Sequence, residues 1–388
     1  MRRDFEYVVV GLGGLGSATA YWLARGFGEA VLGLEQFEIG HARGASQDHS
    51  RIGRLSYHTP AYVQLAGESY AAWAAVEKEL ESRLLVRTGG LDLWPLNAAI
   101  PMDDYTSSLS DQNIAYELLD APEIMARWPA FVLEEGTTGL FQADAAIVPA
   151  AKCNAAHIRL ARAHGAMLLD NSPVESITTR GGEIEVSVGS DVYRCRSLVI
   201  AADAWTNELT APLGTKLPLT ITQEQVTYFA TPHVDEFAPE RFPIWIWMDE
   251  PSFYGFPVYG EQGTKTGQDV GGEEVTATTR TFDPEPHALE RVQSFLRKHI
   301  PRSLGPVIYT KTCLYTMPPD RDFVIDALPG HPNIFVAQGA AHAFKFASLI
   351  GKIMSDLASA GRSGHPIDGF KIDRPALIDP AAPKHFLV

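Results

Sequence analysis

The pattern of apolar and polar positions is clearest near the start of the chain. The apolar run Tyr7 to Val10, rich in β-branched residues, is typical of a buried parallel strand, and it leads straight into a glycine-rich turn. Small and apolar residues then recur at helical spacing over Ser17 to Arg25, and Ala30 to Leu34 predicts a second strand. This order predicts a βαβ unit over residues 7–34.

The turn of this unit has the glycine spacing of a dinucleotide-binding site. Gly11 permits the tight turn, Gly13 lets the backbone approach a pyrophosphate, and Gly16 lets the helix pack closely on the strand. The helix N-terminus offers unpaired N–H groups to phosphates. Glu35 follows the second strand and would bind a ribose while repelling a 2′-phosphate, which argues against NADP. We expect an adenine dinucleotide here; the alternative is a purely structural glycine turn.

Apolar patterns later in the chain predict further helices and strands. Some of them are expected to form a second layer, after which the chain returns to the sheet of the βαβ unit. Helices are predicted at Ala61 to Ser82, Pro149 to His164, Pro286 to Ile300 and Phe344 to Ala358, with a short one at Pro122 to Arg127 in the otherwise irregular segment Pro101 to Phe141. Strands are predicted at Arg87 to Pro95, Met167 to Leu169, Glu183 to Val188, Ser197 to Ala201, Asn333 to Ala337, and through the strand-rich segment Leu217 to Phe256.

The predicted fold class is α/β with an α+β second domain. A doubly wound, Rossmann-like nucleotide-binding domain is expected over residues 1–88, 146–215 and 306–388. A discontinuous substrate domain with an antiparallel sheet is expected over residues 89–145 and 216–305. The loop after Ser197 to Ala201, which contains Asp203 and Trp205, is expected to face the cofactor.

Composition narrows the class of partner. A chain of 388 residues with 45% apolar content favours two domains. The net charge of −15 argues against nucleic acid or an anionic membrane as partner, and no stretch has the length of a membrane span. The three cysteines, Cys153, Cys195 and Cys313, suit neither a disulfide framework nor a metal cluster, so we expect no metal and a cytoplasmic location.

Two polar segments are candidates for chemistry. Gly40 to Pro60 is too long and polar for a plain connection, and it holds Arg51 and Arg54; the alternative is a solvated basic turn. Gly260 to Gly272 is glycine-rich around Lys265 and Asp269, and the simplest interpretation of its pattern is a hairpin loop.

An ordered set of motifs runs through the whole chain. They are the glycine fingerprint, SRIGRLSY at Ser50 to Tyr57, DAWTNEL at Asp203 to Leu209, FYGFP at Phe253 to Pro257, Lys265, TCLYTMPPD at Thr312 to Asp320, AHAFKF at Ala341 to Phe346 and DRPAL at Asp373 to Leu377. With them the chain resembles the monomeric sarcosine oxidase and N-methyltryptophan oxidase family of flavoproteins, which is related to D-amino acid oxidase.

The resemblance implies FAD, attached through a thioether to Cys313. It also implies that Arg54 and Lys345 bind the substrate carboxylate and that Lys265 activates oxygen. His342 and Tyr254 match polar groups that line the family's pocket, and Asp269 is a further candidate in the site. The cofactor-binding residues implied are Gly11, Gly13, Gly14, Leu15, Gly16, Glu35, Ser46, Arg51, Val174, Trp205, Cys313 and Lys345.

Departures from the family pattern put the substrate in doubt. Alanines at 341 and 343 replace the glycines of GHGFK, which is expected to tighten the pocket, and Trp247 stands about where sarcosine oxidases carry methionine. Asp269 stands where they carry histidine. Asp269 could bind a cationic or hydrogen-bond-donating part of a larger substrate, accept the amine proton, or be an exposed hairpin acid without contacts.

The function expected is an FAD-dependent oxidase of a secondary α-amino acid, which yields an imine that water hydrolyses, and hydrogen peroxide. Its expected partners are a small amino acid and molecular oxygen, and its expected state is a monomer or small homo-oligomer. Two alternatives stay open: a flavin amine dehydrogenase with a non-oxygen acceptor, and a flavoprotein without turnover.

Overall fold

The computed structural model describes residues 2–385. The strands are β1 Tyr7–Val10, β2 Val31–Leu34, β3 Arg51–Gly53, β4 Val86–Arg87, β5 Gly90–Trp94, β6 Glu117–Asp120, β7 Thr138–Gln142, β8 Ala146–Val148, β9 Met167–Leu169, β10 Ser176–Arg180, β11 Glu183–Val188, β12 Asp191–Cys195, β13 Ser197–Ile200, β14 Thr220–Phe229, β15 Ile244–Trp247, β16 Ser252–Phe256, β17 Thr264–Asp269, β18 Glu273–Glu274, β19 Val307–Met317, β20 Val324–Leu328 and β21 His331–Gln338.

Helices join and cover these strands. The α-helices are α1 Gly14–Phe27, α2 Pro60–Leu80, α3 Met102–Asp111, α4 Ala121–Arg127, α5 Ala150–Ala163, α6 Thr206–Thr210, α7 Pro286–His299, α8 Ala347–Ala360 and α9 Pro375–Ile378. Short 3₁₀ turns include Asp203–Trp205 and Ala343–Phe346. No helix within residues 2–385 is long and apolar enough to cross a bilayer.

The first layer is a six-stranded sheet in the order β20-β21-β13-β1-β2-β9. All pairings but that of β20 are parallel, with Val8 opposite both Leu198 and Leu32. Helices α1, α5 and α8 pack on one face, and the three-stranded sheet β10-β11-β12 packs on the other. Burial of both faces explains why β1, β2 and β13 are continuous apolar runs.

The turn between β1 and α1 has the predicted glycine geometry. Gly11 has φ +87°, and a Cβ on Gly16 would lie 1.8 Å from the Gly11 carbonyl oxygen, so only glycine lets α1 approach the turn this closely. α1 begins at Gly14, three residues before the start predicted from the apolar spacing, because the glycines themselves form its first turn.

The second layer is a nine-stranded sheet in the order β18-β14-β17-β16-β15-β5-β7-β6, with β19 also paired to β14. The pairings of this sheet are antiparallel, as predicted, except that of β15 with β5, which is parallel. Because these two strands lie far apart in the chain, no hairpin turn imposes an antiparallel pairing on them. Helix α7 packs on this sheet through an aromatic core that includes Trp245, Phe253 and Phe295.

Two local predictions are wrong. The segment Gly260 to Gly272 is not a plain hairpin loop, because it contains β17, whose first four residues are buried. Arg51 lies on β3, in the small sheet β3-β8-β4. The single strand predicted over Arg87 to Pro95 is two strands in different sheets, β4 and β5.

The boundaries between the two domains stay a prediction. The small sheet joins β3 and β4 to β8, all within segments assigned to the nucleotide-binding domain. β19 begins at Val307, also inside a segment assigned to that domain, but it pairs along its length with β14 of the nine-stranded sheet.

Candidate active site

One long cavity lies between the two large sheets. At one end it is lined by the carboxyl ends of β1, β2, β13 and β21, which is where open parallel sheets bind ligands. At the other it is lined by side chains of β14 to β17 and β19. The predicted site residues that line it are Gly11, Gly13, Gly14, Leu15, Glu35, Ser46, Arg51, Arg54, Val174, Trp205, Tyr254, Lys265, Asp269, Cys313, His342 and Lys345. Gly16 is the exception, since it packs α1 on the turn.

The glycine turn forms one end of the cavity. A Cβ on Gly11 would lie 2.4 Å from the backbone oxygen of Ala201, so the turn needs glycine there. The N–H of Gly14, at the start of α1, donates to Ser46 Oγ at 2.7 Å. These N–H groups at the helix N-terminus give this end a partial positive charge that suits phosphates.

Glu35 lies at the edge of the same end. It accepts hydrogen bonds from the N–H groups of Leu12, at 2.8 Å, and Phe37, at 3.2 Å, and its Oε1 lies 3.3 Å from His41 Nε2. Burial by itself would raise the pKa of Glu35, but these three groups together lower it. Glu35 is therefore ionised, and its carboxylate oxygens can accept further hydrogen bonds.

Arg51 orders the polar segment that precedes it. Its guanidinium donates to the carbonyl oxygens of Ser50 and Ala45, both at 2.7 Å, and of Gln47, at 2.9 Å. Arg54 is 6% exposed, so the alternative of a solvated basic turn is wrong.

Cys313 lies in the middle of β19 and lines the cavity as a free thiol. Burial raises the pKa of Cys313 to about 11, although the positive charge of Arg51 opposes this effect. The Cys313 thiol of the chain alone is therefore protonated near neutral pH.

Lys265 forms a buried ion pair that the sequence did not indicate. Its Nζ lies 2.7 Å from Asp48 Oδ2 and donates to the backbone oxygen and the hydroxyl of Ser50, both at 3.1 Å. Tyr228 donates to the other Asp48 oxygen at 2.9 Å. Burial lowers the pKa of Lys265 to about 8, and the charge of Asp48 limits that fall.

Arg54 is also held by a buried carboxylate that the sequence analysis missed. Its Nη1 donates to Asp92 Oδ2 at 3.1 Å, and the same oxygen accepts a hydrogen bond from Ser56. Burial raises the pKa of Asp92, which Arg54 counteracts. Asp92 lies on β5, and no local pattern distinguished it from an ordinary strand residue.

Lys345 lies in the 3₁₀ turn before α8. Its Nζ lies 5.5 Å from the centroid of the Tyr57 ring, and among residues 2–385 no carboxylate forms a salt bridge with it. Burial and the nearby charge of Arg54 lower the pKa of Lys345 to about 7. The ammonium is thus only partly populated at neutral pH unless an anion joins it.

Asp269 is not an exposed hairpin acid. It ends β17, and its two oxygens accept hydrogen bonds from Nη1 and Nη2 of Arg321, each at 2.8 Å. Burial would raise the pKa of Asp269, but Arg321 lowers it. Arg321 is 2% exposed and also lines the cavity. The only sequence signal for it was its place one residue after the TCLYTMPPD motif.

His342 and Tyr254 lie in the same region. His342 Nε2 is 2.9 Å from the carbonyl oxygen of Arg321, which requires an N–H there, while its buried Nδ1 has no hydrogen-bond partner in residues 2–385. Burial lowers the pKa of His342 well below its ordinary value, so the ring is neutral. Burial raises the pKa of Tyr254, which is therefore an un-ionised phenol.

Trp247 lies in the hydrophobic core of the second layer. It does not line the cavity; its ring packs on Phe295, with centroids 5.4 Å apart, and on His299, at 4.4 Å. It therefore belongs to the aromatic core under α7.

Comparisons with known proteins agree with this geometry. A family profile described as FAD dependent oxidoreductase matches residues 6–357. The monomeric sarcosine oxidase of Streptomyces avermitilis is 33% identical over 384 residues, which cover 95% of this chain and 97% of that protein. The N-methyl-L-tryptophan oxidase of Salmonella newport is 27% identical, with 95% and 99% covered.

A solved structure of an amino acid oxidase has the same fold. NikD, described as an unusual amino acid oxidase essential for nikkomycin biosynthesis, superposes with a TM-score of 0.84 at 27% identity and covers 95% of this chain and 98% of its own. The predicted fold class and family resemblance are confirmed. With the dinucleotide fingerprint and the continuous cavity, these similarities show that the chain belongs to the FAD dependent oxidoreductase family, beside the monomeric sarcosine oxidases.

Proposed function

We propose that this protein is an FAD-dependent oxidase of a secondary α-amino acid, with oxygen as acceptor. The observation that carries the proposal is the pair of cations Arg54 and Lys345 in the same cavity as the dinucleotide turn. Amine oxidation by a flavin needs a substrate held beside the cofactor, and a fixed cation pair selects an amino acid among amines.

The residues present fit FAD. The glycine turn, the start of α1 and Glu35 suit its pyrophosphate and ribose, and Val174 and Trp205 line the cavity at the same end. Buried polar atoms of the lining, Gln47 Oε1 and His342 Nδ1, have no hydrogen-bond partner within residues 2–385, as expected of groups that meet a ligand. When bound, FAD supplies the two-electron acceptor for the hydride equivalent of the amine and passes those electrons to oxygen, yielding hydrogen peroxide.

The charges of the site favour one carboxylate. Arg54 is paired with Asp92 and Arg321 with Asp269, whereas the Lys345 ammonium has no salt bridge within residues 2–385. The cluster therefore has about one net positive charge when Lys345 is protonated, which a substrate carboxylate balances. Hydrogen bonds to such charged groups typically contribute about 1.5–3 kcal/mol each.

The same site suits a neutral amine. The lone pair of His342 Nδ1 can accept a hydrogen bond from the amine N–H, because Nε2 carries the proton. Neither His342 nor Asp269 is a good base for the amine, because the pKa of each is lowered. We therefore expect the substrate to lose its proton to solvent before oxidation, and the resulting imine to be hydrolysed by water.

Lys265 is the cation proposed to assist oxygen. An ammonium without a counter-ion, about 4 Å from reduced oxygen at an effective dielectric near 20, would stabilise the new negative charge by roughly 4 kcal/mol, which is an upper bound for Lys265 because Asp48 lies beside it. That corresponds to on the order of a thousandfold in rate. Oxygen reduction creates this charge and amine oxidation does not, so Lys265 acts in only one of the two half-reactions.

Cys313 is the proposed point of covalent attachment, supported by its position in the cavity and in the TCLYTMPPD motif. Attachment would replace the Sγ–H bond and one flavin C–H bond by a C–Sγ thioether bond, and the two electrons released would pass to the flavin and then to oxygen. Acid precipitation of matured protein should keep the yellow colour in the pellet, and the Cys313→Ser variant should release it. Colour that leaves wild-type protein with the supernatant would contradict the attachment.

The test of the function has two parts. Anaerobic protein is mixed with a panel of N-methyl and cyclic amino acids and their decarboxylated analogues, and the flavin absorbance is followed. Peroxide is then measured in air. We expect bleaching by amino acids only, and stoichiometric peroxide. Bleaching without peroxide would indicate a dehydrogenase with another acceptor, and no bleaching a flavoprotein without amine turnover.

A further inference from the structure

The ion pair between Asp48 and Lys265 has a function that the family resemblance does not assign. Resting on the proposed function, we propose that Asp48 is a positioning residue of the oxygen half-reaction, which orients the Lys265 side chain and keeps it in the ammonium form beside the flavin. Asp48 and Lys265 are 7% and 2% exposed, so the pair is almost completely removed from water.

The geometry supports a dedicated role. Asp48 has φ +84°, a left-handed backbone conformation that is uncommon outside glycine, asparagine and aspartate. That conformation lies in the segment tied down by Arg51, whose guanidinium binds the carbonyl oxygen of Gln47. Tyr228, fully buried on β14, fixes the second carboxylate oxygen. Both Asp48 oxygens are thus committed, one to Tyr228 and one to Lys265.

The surroundings of Lys265 explain why it needs an anion. The rings of Phe256 and Tyr228 lie 4.8 and 5.8 Å from Nζ, so hydrophobic groups replace water around the charge. Arg51 is a nearby positive charge that disfavours the ammonium, and the buried Cys313 thiol is the other titratable neighbour. Asp48 is the only carboxylate in salt-bridge contact with Lys265 among residues 2–385.

Asp48 has two opposing effects on Lys265: it weakens the electric field of the ammonium at oxygen, and it keeps the amine protonated. A carboxylate 2.7 Å from Nζ weakens the field of the cation at oxygen. Without the carboxylate, however, burial and Arg51 would leave Lys265 uncharged near neutral pH, and a neutral amine stabilises no negative charge. The loss of Asp48 is therefore expected to harm oxygen reduction only above a certain pH, which a merely structural role would not produce.

The experiment compares Asp48→Asn with the wild-type holoenzyme. Asparagine tolerates φ > 0, so the backbone is retained. The Lys265 titration is followed by ¹³C NMR of lysine-labelled holoenzyme, with Lys265→Met identifying the resonance, and flavin reoxidation by oxygen is followed by stopped flow from pH 6 to 10. Asp48→Gly, which also suits this backbone, serves as a second variant if the first folds poorly.

The expected result is a Lys265 midpoint lowered by roughly 1–2 pH units in Asp48→Asn, and reoxidation at least about fivefold slower at pH 8 but no more than about twofold slower at pH 6. Flavin reduction by substrate should change less than twofold. Glu261→Gln removes an equal charge from an acid that pairs with His49, 3.1 Å away, and should leave the midpoint in place. Tyr228→Phe keeps both charges and should do the same.

Several outcomes would overturn the proposal. The first two are an unchanged Lys265 midpoint in Asp48→Asn and a reoxidation rate slowed equally at every pH. The third is an equal midpoint shift in Tyr228→Phe. The fourth is a slowing of reoxidation by Asp48→Asn that persists when Lys265 is replaced by methionine. The proposed role of Lys265 in oxygen reduction is tested separately, and it is contradicted if the flavin of Lys265→Met is reoxidised at the wild-type rate. Slow reoxidation in Lys265→Met together with a normal rate in Asp48→Asn would refute only the role of Asp48.

Discussion

The guanidinium of Arg321 holds both oxygens of Asp269 at 2.8 Å inside the cavity, on the same side as the substrate-binding candidates Arg54 and Lys345. Arg321 is 2% exposed and the Asp269 side chain 21%. Asp269 therefore acts as the counter-ion of a buried arginine, and its removal would change the charge of the whole site.

We expect Asp269→Asn to destabilise the protein and yet to strengthen anion binding. Removing one partner of a buried ion pair costs stability, and partial exposure of Asp269 reduces the usual cost to about 2 kcal/mol. Loss of the Asp269 carboxylate raises the net charge of the site by one, so a simple carboxylate such as methoxyacetate should bind several-fold more tightly. Thermal unfolding and a flavin absorbance titration measure the two effects. Glu273→Gln, an exposed acid on β18, is the control; weaker anion binding in Asp269→Asn would contradict the charge count.

Arg54→Ala is expected to impair both stability and binding, for different reasons. Stability falls because Asp92 stays buried without its partner, and carboxylate affinity falls at least tenfold because a fixed cation is lost. The double variant Arg54→Ala with Asp92→Asn should recover most of the stability but none of the affinity. Recovery of substrate affinity in the double variant would show that Arg54 does not contact the carboxylate.

Binding of a carboxylate should weaken as the pH rises above neutrality. Burial lowers the pKa of Lys345 to about 7, so the ammonium predominates below that pH and the neutral amine above it. A bound anion favours the ammonium, so the dissociation constant of methoxyacetate should rise up to tenfold per pH unit above about pH 7. Titrations between pH 6 and 9 measure this dependence, which Lys345→Met should abolish. A wild-type constant that does not vary over this range would argue against Lys345 as the anion's partner.

Of the two alanines that replace family glycines, only one should be costly. Ala341 has φ +69°, where a Cβ is strained by roughly 1 kcal/mol, whereas Ala343 begins a 3₁₀ turn with no positive φ. Ala341→Gly is therefore expected to raise the melting temperature, and Ala343→Gly to leave it unchanged or lower it. Differential scanning calorimetry compares the two variants; the reverse order would show that the loop conformation is set by something other than local strain.

The sequence by itself determined the nucleotide-binding unit, because its signals are local. The run Tyr7 to Val10, the glycines after it and Glu35 lie within one βαβ unit, where spacing along the chain implies position in space. The structure corrects this unit only slightly, because α1 begins at Gly14 and not at Ser17. The ordered motifs likewise identified the family.

Only the tertiary structure decided the charge partners in the cavity. Arg54 and Asp92 are 38 residues apart in the chain, Asp269 and Arg321 are 52 apart, and Tyr228 reaches Asp48 across 180. Such pairs depend on which strands become neighbours and on which side chains share a cavity. The residues next to a polar side chain in the sequence specify neither of these. For the same reason β17, which pairs with β14 and β16, resembles a polar loop until the sheet around it is known.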